Sequence, residues 1–222
     1  MIRRSFWAAL ALLFASPVLA QAPQETPEQT ARSAKLGQAI AAIQSQKPAE
    51  ATAILQPLLT EYEKLYAGEK RKIYCAHDPK ESLRYMLEAA AAKRDAVAID
   101  SGWCMALWAR GFALIDMRQL DAAVPFLERA VALAPSYPHY LSELGYAYQS
   151  QKKWQLSYDL YSRAATAAAF QEGEQRKKSL RRAWFGMAFD LIELGRLDEA
   201  EKLLNQCLEL VPNDQKVKDV LQ

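Results

Sequence analysis

Nucleophile, base and acid side chains crowd together at one place in this chain, Cys75-Ala76-His77-Asp78. A thiol beside an imidazole and a carboxylate is material for nucleophilic chemistry. Adjacent residues seldom point at one reacting atom, however, and a catalytic triad is defined by geometry rather than by neighbourhood in sequence. His77 and His139 are the only histidines, and no His-x-x-x-His or Cys-x-x-Cys spacing occurs, so no metal site is expected. No glycine-rich loop follows a strand, which leaves nothing to cradle a phosphate. The reading is a protein that is not an enzyme, with no catalytic residue, no cofactor and no metal.

The three cysteines are Cys75, Cys104 and Cys207. A Cys75–Cys104 disulfide is the pairing to weigh, and the expected secondary structure argues against it. Asp78-Pro79 is a helix start, Asp as N-cap and Pro in the first turn. A single helix from Pro79 to about Ala98 would hold its ends roughly 30 Å apart at 1.5 Å per residue. Bridged Cα atoms must lie within about 7 Å.

The elements that position these residues are helices. Half of the 222 residues are apolar, Ala and Leu dominate, and apolar residues recur at helical spacing from about Ala31 onward. No stretch alternates in the manner of a strand. Residues 1–20 read as a signal peptide: Arg3 and Arg4, an apolar run from Phe6 to Ala15, then Val18-Leu19-Ala20 before Gln21. That run is about half of the roughly 20 residues needed to span a bilayer, so no stable membrane span is expected after cleavage. Residues 21–30, polar with two prolines, read as a disordered leader. Arg3 and Arg4 are the only charges before Gln21, so the remainder balances 26 basic against 26 acidic residues, which argues against a nucleic-acid partner. The basic run Arg176-Lys177-Lys178 with Arg181 and Arg182 reads as a solvated helix start near Glu172 and Glu174.

An internal repeat organises the rest. AVALAP at 130–135 follows AVAIDS at 96–101 by 34 positions. The copy at 104–137 carries Leu107, Gly111 and Leu114, then Ala123, Leu127, Ala130 and Pro135, with Arg110 at a position usually apolar. The copy at 138–171 carries Leu141, Leu144, Gly145 and Tyr148, then Ser157, Tyr161 and Ala164; Ala169 replaces the terminal proline, so its second helix is expected to run on. The copy at 181–214 carries Trp184, Met187, Ala188 and Leu191, then Ala200, Leu204, Cys207 and Pro212. These residues resemble the tetratricopeptide repeat family over most of the chain beyond the leader. Residues 31–102 read as degenerate N-terminal helical repeats, with Ala39, Ala51, Leu55 and Leu58 at small and apolar positions of one pair. Residues 172–180 are extra to the repeat.

The resemblance implies an all-α fold of antiparallel helix pairs stacked as a short right-handed superhelix. Small residues let two helices approach, and each pair leaves an apolar face for the next to cover. It also implies a concave surface lined by the first helix of each pair, where extended peptides or partner helices bind. On this sequence that surface holds Trp108, Phe112 and Asp116, then His139 and Tyr146, then Arg182, Phe185 and Phe189. Trp108 and Phe112, Ser142 and Tyr146, and Phe185 and Phe189 stand where carboxylate-clamp members carry Lys and Asn, so no clamp is expected. The resemblance makes Cys207 an inert core thiol. The expectation is a periplasmic or secreted binding protein for a protein or peptide partner. The alternative is a structural subunit of an oligomer or envelope complex whose groove the chain itself fills.

Overall fold

The protein is represented by a computed structural model that describes residues 26–222. The signal-peptide reading of 1–20 lies outside the described residues. The elements are α1 (Pro27–Gln44), α2 (Pro48–Leu65), β1 (Lys72–Ala76), α3 (Pro79–Ala91), β2 (Ala96–Asp100), α4 (Gly102–Asp116), α5 (Leu120–Leu133), α6 (Pro138–Ser150), α7 (Trp154–Ala168), α8 (Gly173–Glu193), α9 (Leu197–Leu210) and α10 (Gln215–Val220). Four antiparallel pairs, α1/α2, α4/α5, α6/α7 and α8/α9, stack in chain order.

The turn inside every pair has the same construction. Gln46, Arg118, Lys152 and Gly195 all take a left-handed conformation, with φ of 58°, 62°, 60° and 74°. Only the last is glycine, the residue that adopts this region without steric cost. The same turn joins α1 and α2, and Ala39, Ala51, Leu55 and Leu58 are fully buried in this pair. Arg110, the departure from the apolar pattern, donates to the Thr52 carbonyl of α2 and lies 5.6 Å from the Phe126 ring centre.

Small residues set the helix approach. A Cβ built on Gly111 would come within 2.6 Å of Leu127 Cγ, and one on Gly145 within 3.2 Å of the Tyr161 ring. The core is continuous from α1 to Ala183 in the middle of α8, a second cluster joins α8, α9 and α10 through Leu191, Leu204, Cys207 and Val217, and a third, of Tyr74, Tyr85, Ala89 and Ala96, lies within the β1–α3–β2 unit.

Four expectations require correction. First, α1 begins at Pro27, inside the segment read as a disordered leader. Thr26 caps it in a reciprocal capping box with Gln29. Second, 66–101 is not a degenerate helical repeat. It is a β1–α3–β2 unit whose strands pair in parallel, Lys72 with Ala96 through Ala76 with Asp100. Parallel strands require a crossover, and α3 supplies it. The helix starting at Asp78-Pro79 therefore ends at Ala91, not near Ala98, and AVAID is a strand although AVALAP closes a helix. Each strand has five residues, too short for alternation to stand out, and pairing partners twenty-four positions apart decide the outcome. Third, α7 does not run on past Ala168; it stops there and α8 begins at Gly173. The extra residues 172–180 lengthen the first helix of the last pair. Fourth, the separation argued for Cys75 and Cys104 does not hold, because β2 returns the chain alongside β1. Both thiols are free and buried, as is that of Cys207.

Candidate binding surface

Helices α4, α6 and α8, the first members of their pairs, carry every residue the sequence assigned to the concave surface, and the fold divides them into a closed end and an open end. At the N-terminal ends of these helices the side chains pack on one another. Trp108 lies 4.8 Å from His139 and 6.4 Å from Tyr140, between ring centres. The β1–α3–β2 unit covers this end: His77 stacks on Tyr137 at 3.6 Å and 4°. Trp108 and His139 are half-buried here, and Tyr140 is fully so. Phe185 does not join them: half-buried, it packs against the α8–α9–α10 cluster, with the Arg181 guanidinium 4.7 Å from its ring centre. Toward the C-terminal ends the surface opens. Tyr146 is 45% exposed and Phe189 40%, with Phe112 half-buried against Trp108 and Asp116 at the rim. Trp154, at the start of α7, props Phe189 at 6.1 Å.

Charge is paired across the helices. Arg182 of α8 donates to Glu143 of α6, whose side chain is almost wholly buried, and approaches His139 Nδ1 at 3.5 Å. Burial, reinforced by the nearby Arg182 and His77, holds the His139 imidazole down to about 4, so it is neutral at physiological pH. Burial and then Glu143 raise the Asp116 carboxyl. Of the basic run, Lys177 pairs with Glu174 at 2.9 Å and Arg181 with Asp214 at 2.6 Å, so with Arg182 three of its charges are already partnered. Lys72 likewise reaches the Ala132 carbonyl at 2.8 Å, fastening β1 to α5.

A polar network beneath the closed end was missed in the sequence. Glu81 of α3 accepts from the His77 backbone N–H at 2.8 Å and from the Tyr85 hydroxyl at 2.7 Å, and its Oε2 lies 2.8 Å from His77 Nδ1. His77 Nε2 meets the Tyr140 hydroxyl at 2.9 Å, and Tyr85 accepts from the Ser136 amide at 3.3 Å. Burial acts to raise the Glu81 carboxyl, but these hydrogen bonds outweigh it and the net shift is downward. The His77–Glu81 spacing at the start of a helix is the one signal that was legible. The network joins β1, α3 and α6, and its members are spent on one another. Beside it an open cleft of about 440 Å³ runs between α3 and the end of α7, with Leu83, Leu87 and Phe170 exposed along it.

Two segments, 106–137 and 181–214, match models of the tetratricopeptide repeat. The chain carries tetratricopeptide repeats. No curated protein matches it in sequence. Among solved structures, the nearly identical TPR-like repeats of a Podospora anserina kinesin light chain superpose with a TM-score of 0.56 at 17% identity, over 86% of this chain and 79% of that one. MamA of strain RS-1 gives 0.54 at 14% identity, over 84% and 78%. MamA of strain MSR-1 gives 0.53 at 20%, over 84% and 80%. These likenesses bear on fold, and they agree with the stacked helical architecture. Among the described residues no group of His, Cys, Asp or Glu is arranged to hold a metal ion, and no helix is long and apolar enough to cross a membrane.

Proposed function

We propose that this protein is a non-catalytic helical-repeat scaffold of the cell envelope, exported by residues 1–20 to the periplasm or beyond, that holds a protein or peptide partner. The observation that carries the reading is the pair of exposed aromatic rings, Tyr146 and Phe189, on successive first helices of the repeat stack. Aromatic side chains supply large contact area at small entropic cost and are favoured as anchors. Phe112 and Trp154 extend the apolar strip beside them, and Asp116, Glu143 and Arg182 set the polarity at its edge. A partner offering apolar side chains at the spacing of adjacent repeats fits this surface. The near-zero charge balance beyond residue 20 speaks against nucleic acid. The export reading rests on the charged, apolar and small-residue order of the first twenty positions.

The packed end of the stripe favours a second reading. His77 stacks on Tyr137, which lies 6.4 Å from His139, so the chain itself already packs on part of this surface, as a structural subunit with a self-filled groove would have it. A single comparison separates the two. The chain from Gln21 onward is used to capture partners from an envelope extract, beside a Tyr146→Ala, Phe189→Ala double variant verified as folded by circular dichroism. Both substitutions are at exposed positions, so the fold is expected to survive. A partner retained by the parent and weakened at least tenfold in the variant, about 1.4 kcal/mol or more, supports the open surface. Equal capture by both moves binding off this strip. No capture, together with a stable oligomer by light scattering in both, favours the structural subunit.

A further inference from the structure

The β1–β2 register sets Cys75 opposite Ile99, and the chain then turns at Asp100 and Ser101 into α4, whose first turn contains Cys104. Both cysteines are fully buried in one apolar cluster. The Cys104 thiol donates to the Ser101 carbonyl at 3.5 Å, and burial and then the nearby Cys75 thiol raise it. Burial and then the nearby Cys104 thiol raise the Tyr140 hydroxyl, which lies 2.9 Å from His77 Nε2. The two cysteines thus flank the α3–β2 segment, one on β1 and one on α4, and these two elements pack together where the unit joins the repeat stack.

We infer that Cys75 and Cys104 are a disulfide-forming pair, and that their bond closes the loop containing α3 and β2 and fastens β1 to α4. The oxidant is a disulfide donor, either a small-molecule disulfide or a protein disulfide. One cysteine thiolate attacks the donor, giving a mixed disulfide and releasing the first donor sulfur. The second thiolate attacks the cysteine sulfur of that mixed disulfide and releases the other donor sulfur. Two protein thiols are oxidised, one donor disulfide is reduced to two thiols, and both protons leave with the donor.

Burial dictates when this happens. The thiolate is the attacking species, and desolvation together with the adjoining Cys75 thiol holds the Cys104 thiol well above its ordinary range. Neither sulfur is reachable once the unit has docked, so exchange occurs while the chain folds. An oxidising compartment, as the export reading implies, supplies a donor at that stage. Cys207 sits apart, in the α8–α9–α10 cluster, and takes no part.

The test uses the full chain, reduced and unfolded, then refolded in a glutathione redox buffer, alkylated under denaturing conditions and digested with trypsin without reductant. The expected result is a link between peptides Ile73–Lys80 and Asp95–Arg110, with Cys207 alkylated. A Cys207→Ser variant is expected to give the same link. Tm is expected to be higher for the linked chain than for the reduced chain. A Cys75→Ser, Cys104→Ser double variant is expected to show no difference between oxidising and reducing buffer. The inference is overturned if all three cysteines are alkylated after oxidative refolding, or if Cys207 is found in the bridge. The peptide map involves no partner, so it stands apart from the binding reading.

Discussion

Asp190 lies fully buried on α8, its Oδ1 taking a hydrogen bond from the Gln149 amide at 2.9 Å. Desolvation raises its carboxyl to about 6 from an ordinary 3.8, against the lowering effect of Gln149 and Ser157. The folded protein therefore keeps a proton that the unfolded chain has lost between those two values. The resulting stability is fully present below pH 3.8, falls as pH rises toward 6, and is absent above that. An Asp190→Asn variant is expected to be more stable than the parent by roughly 1–3 kcal/mol at pH 7.5 and nearly equal to it below pH 4. Urea unfolding across that range checks it, and a gain at pH 7.5 no larger than at pH 4 would refute it. His139 works in the opposite direction: its depressed imidazole value favours the folded state above its ordinary 6.5, an advantage lost as pH falls through about 4. The sequence offered His139 as a groove residue but not as a buried one, because its neighbours Trp108 and Arg182 lie one repeat away on either side.

Between elements, Tyr161 of α7 is the wedge that joins the last two pairs. Its ring faces Gly145 of α6 on one side and Gly186 of α8 on the other, and a Cβ at Gly186 would fall on the ring itself. The ring is buried and cannot swing into solvent. Gly186→Ala is therefore expected to cost about 1–3 kcal/mol, or more if α8 cannot shift. Thermal unfolding of that variant beside Gly37→Ala, where an added Cβ meets nothing within 4 Å, makes the comparison. Equal destabilisation by the two would dismiss the wedge. The repeat pattern anticipated Gly145 and Tyr161, since both stand at family positions. Gly186 stands at none, and only the packing of α7 against the lengthened α8 shows its use.

At the scale of the whole molecule, the apolar interior of the described residues is in three parts: the main core, a small cluster inside the β1–α3–β2 unit, and one formed by α8, α9 and α10 that is much smaller than the main core. Stacked repeats owe stability to their neighbours, and a terminal pair has only one. Native-state hydrogen exchange is expected to show α9 and α10 opening first, by at least a tenfold difference in protection from the amides of α4 and α6. Uniform protection along the chain would instead mean a single cooperative unit. The N-terminal pair is also terminal, yet it is tied inward. Arg129 of α5 reaches Glu63 of α2 at 2.7 Å, and Tyr66 stacks on Trp103 at 5.2 Å.

Helix pairing, the repeat spacing and the small buried positions were legible in the sequence because each depends on residues within one turn or one pair. Ala39, Gly111, Gly145, Ala164 and Ala200 are recognised from spacing alone, and all five are buried. The Asp78-Pro79 start was legible for the same reason, a local cap whose side chain meets the Glu81 amide at 2.8 Å. The end of α3 and the strand beyond it were not legible. Whether AVAID continues a helix or forms a strand depends on KIYCA, a segment whose partnership no local propensity encodes. That one decision carries much with it. It ends α3 at Ala91, sets His77 over Tyr137 and Tyr140, closes half of the aromatic stripe, and brings Cys75 to Cys104. The sequence by itself determined a stack of tetratricopeptide helix pairs. Only the tertiary structure decided which part of their inner surface stays open, because that depends on where a long-range strand pairing lays the inserted unit.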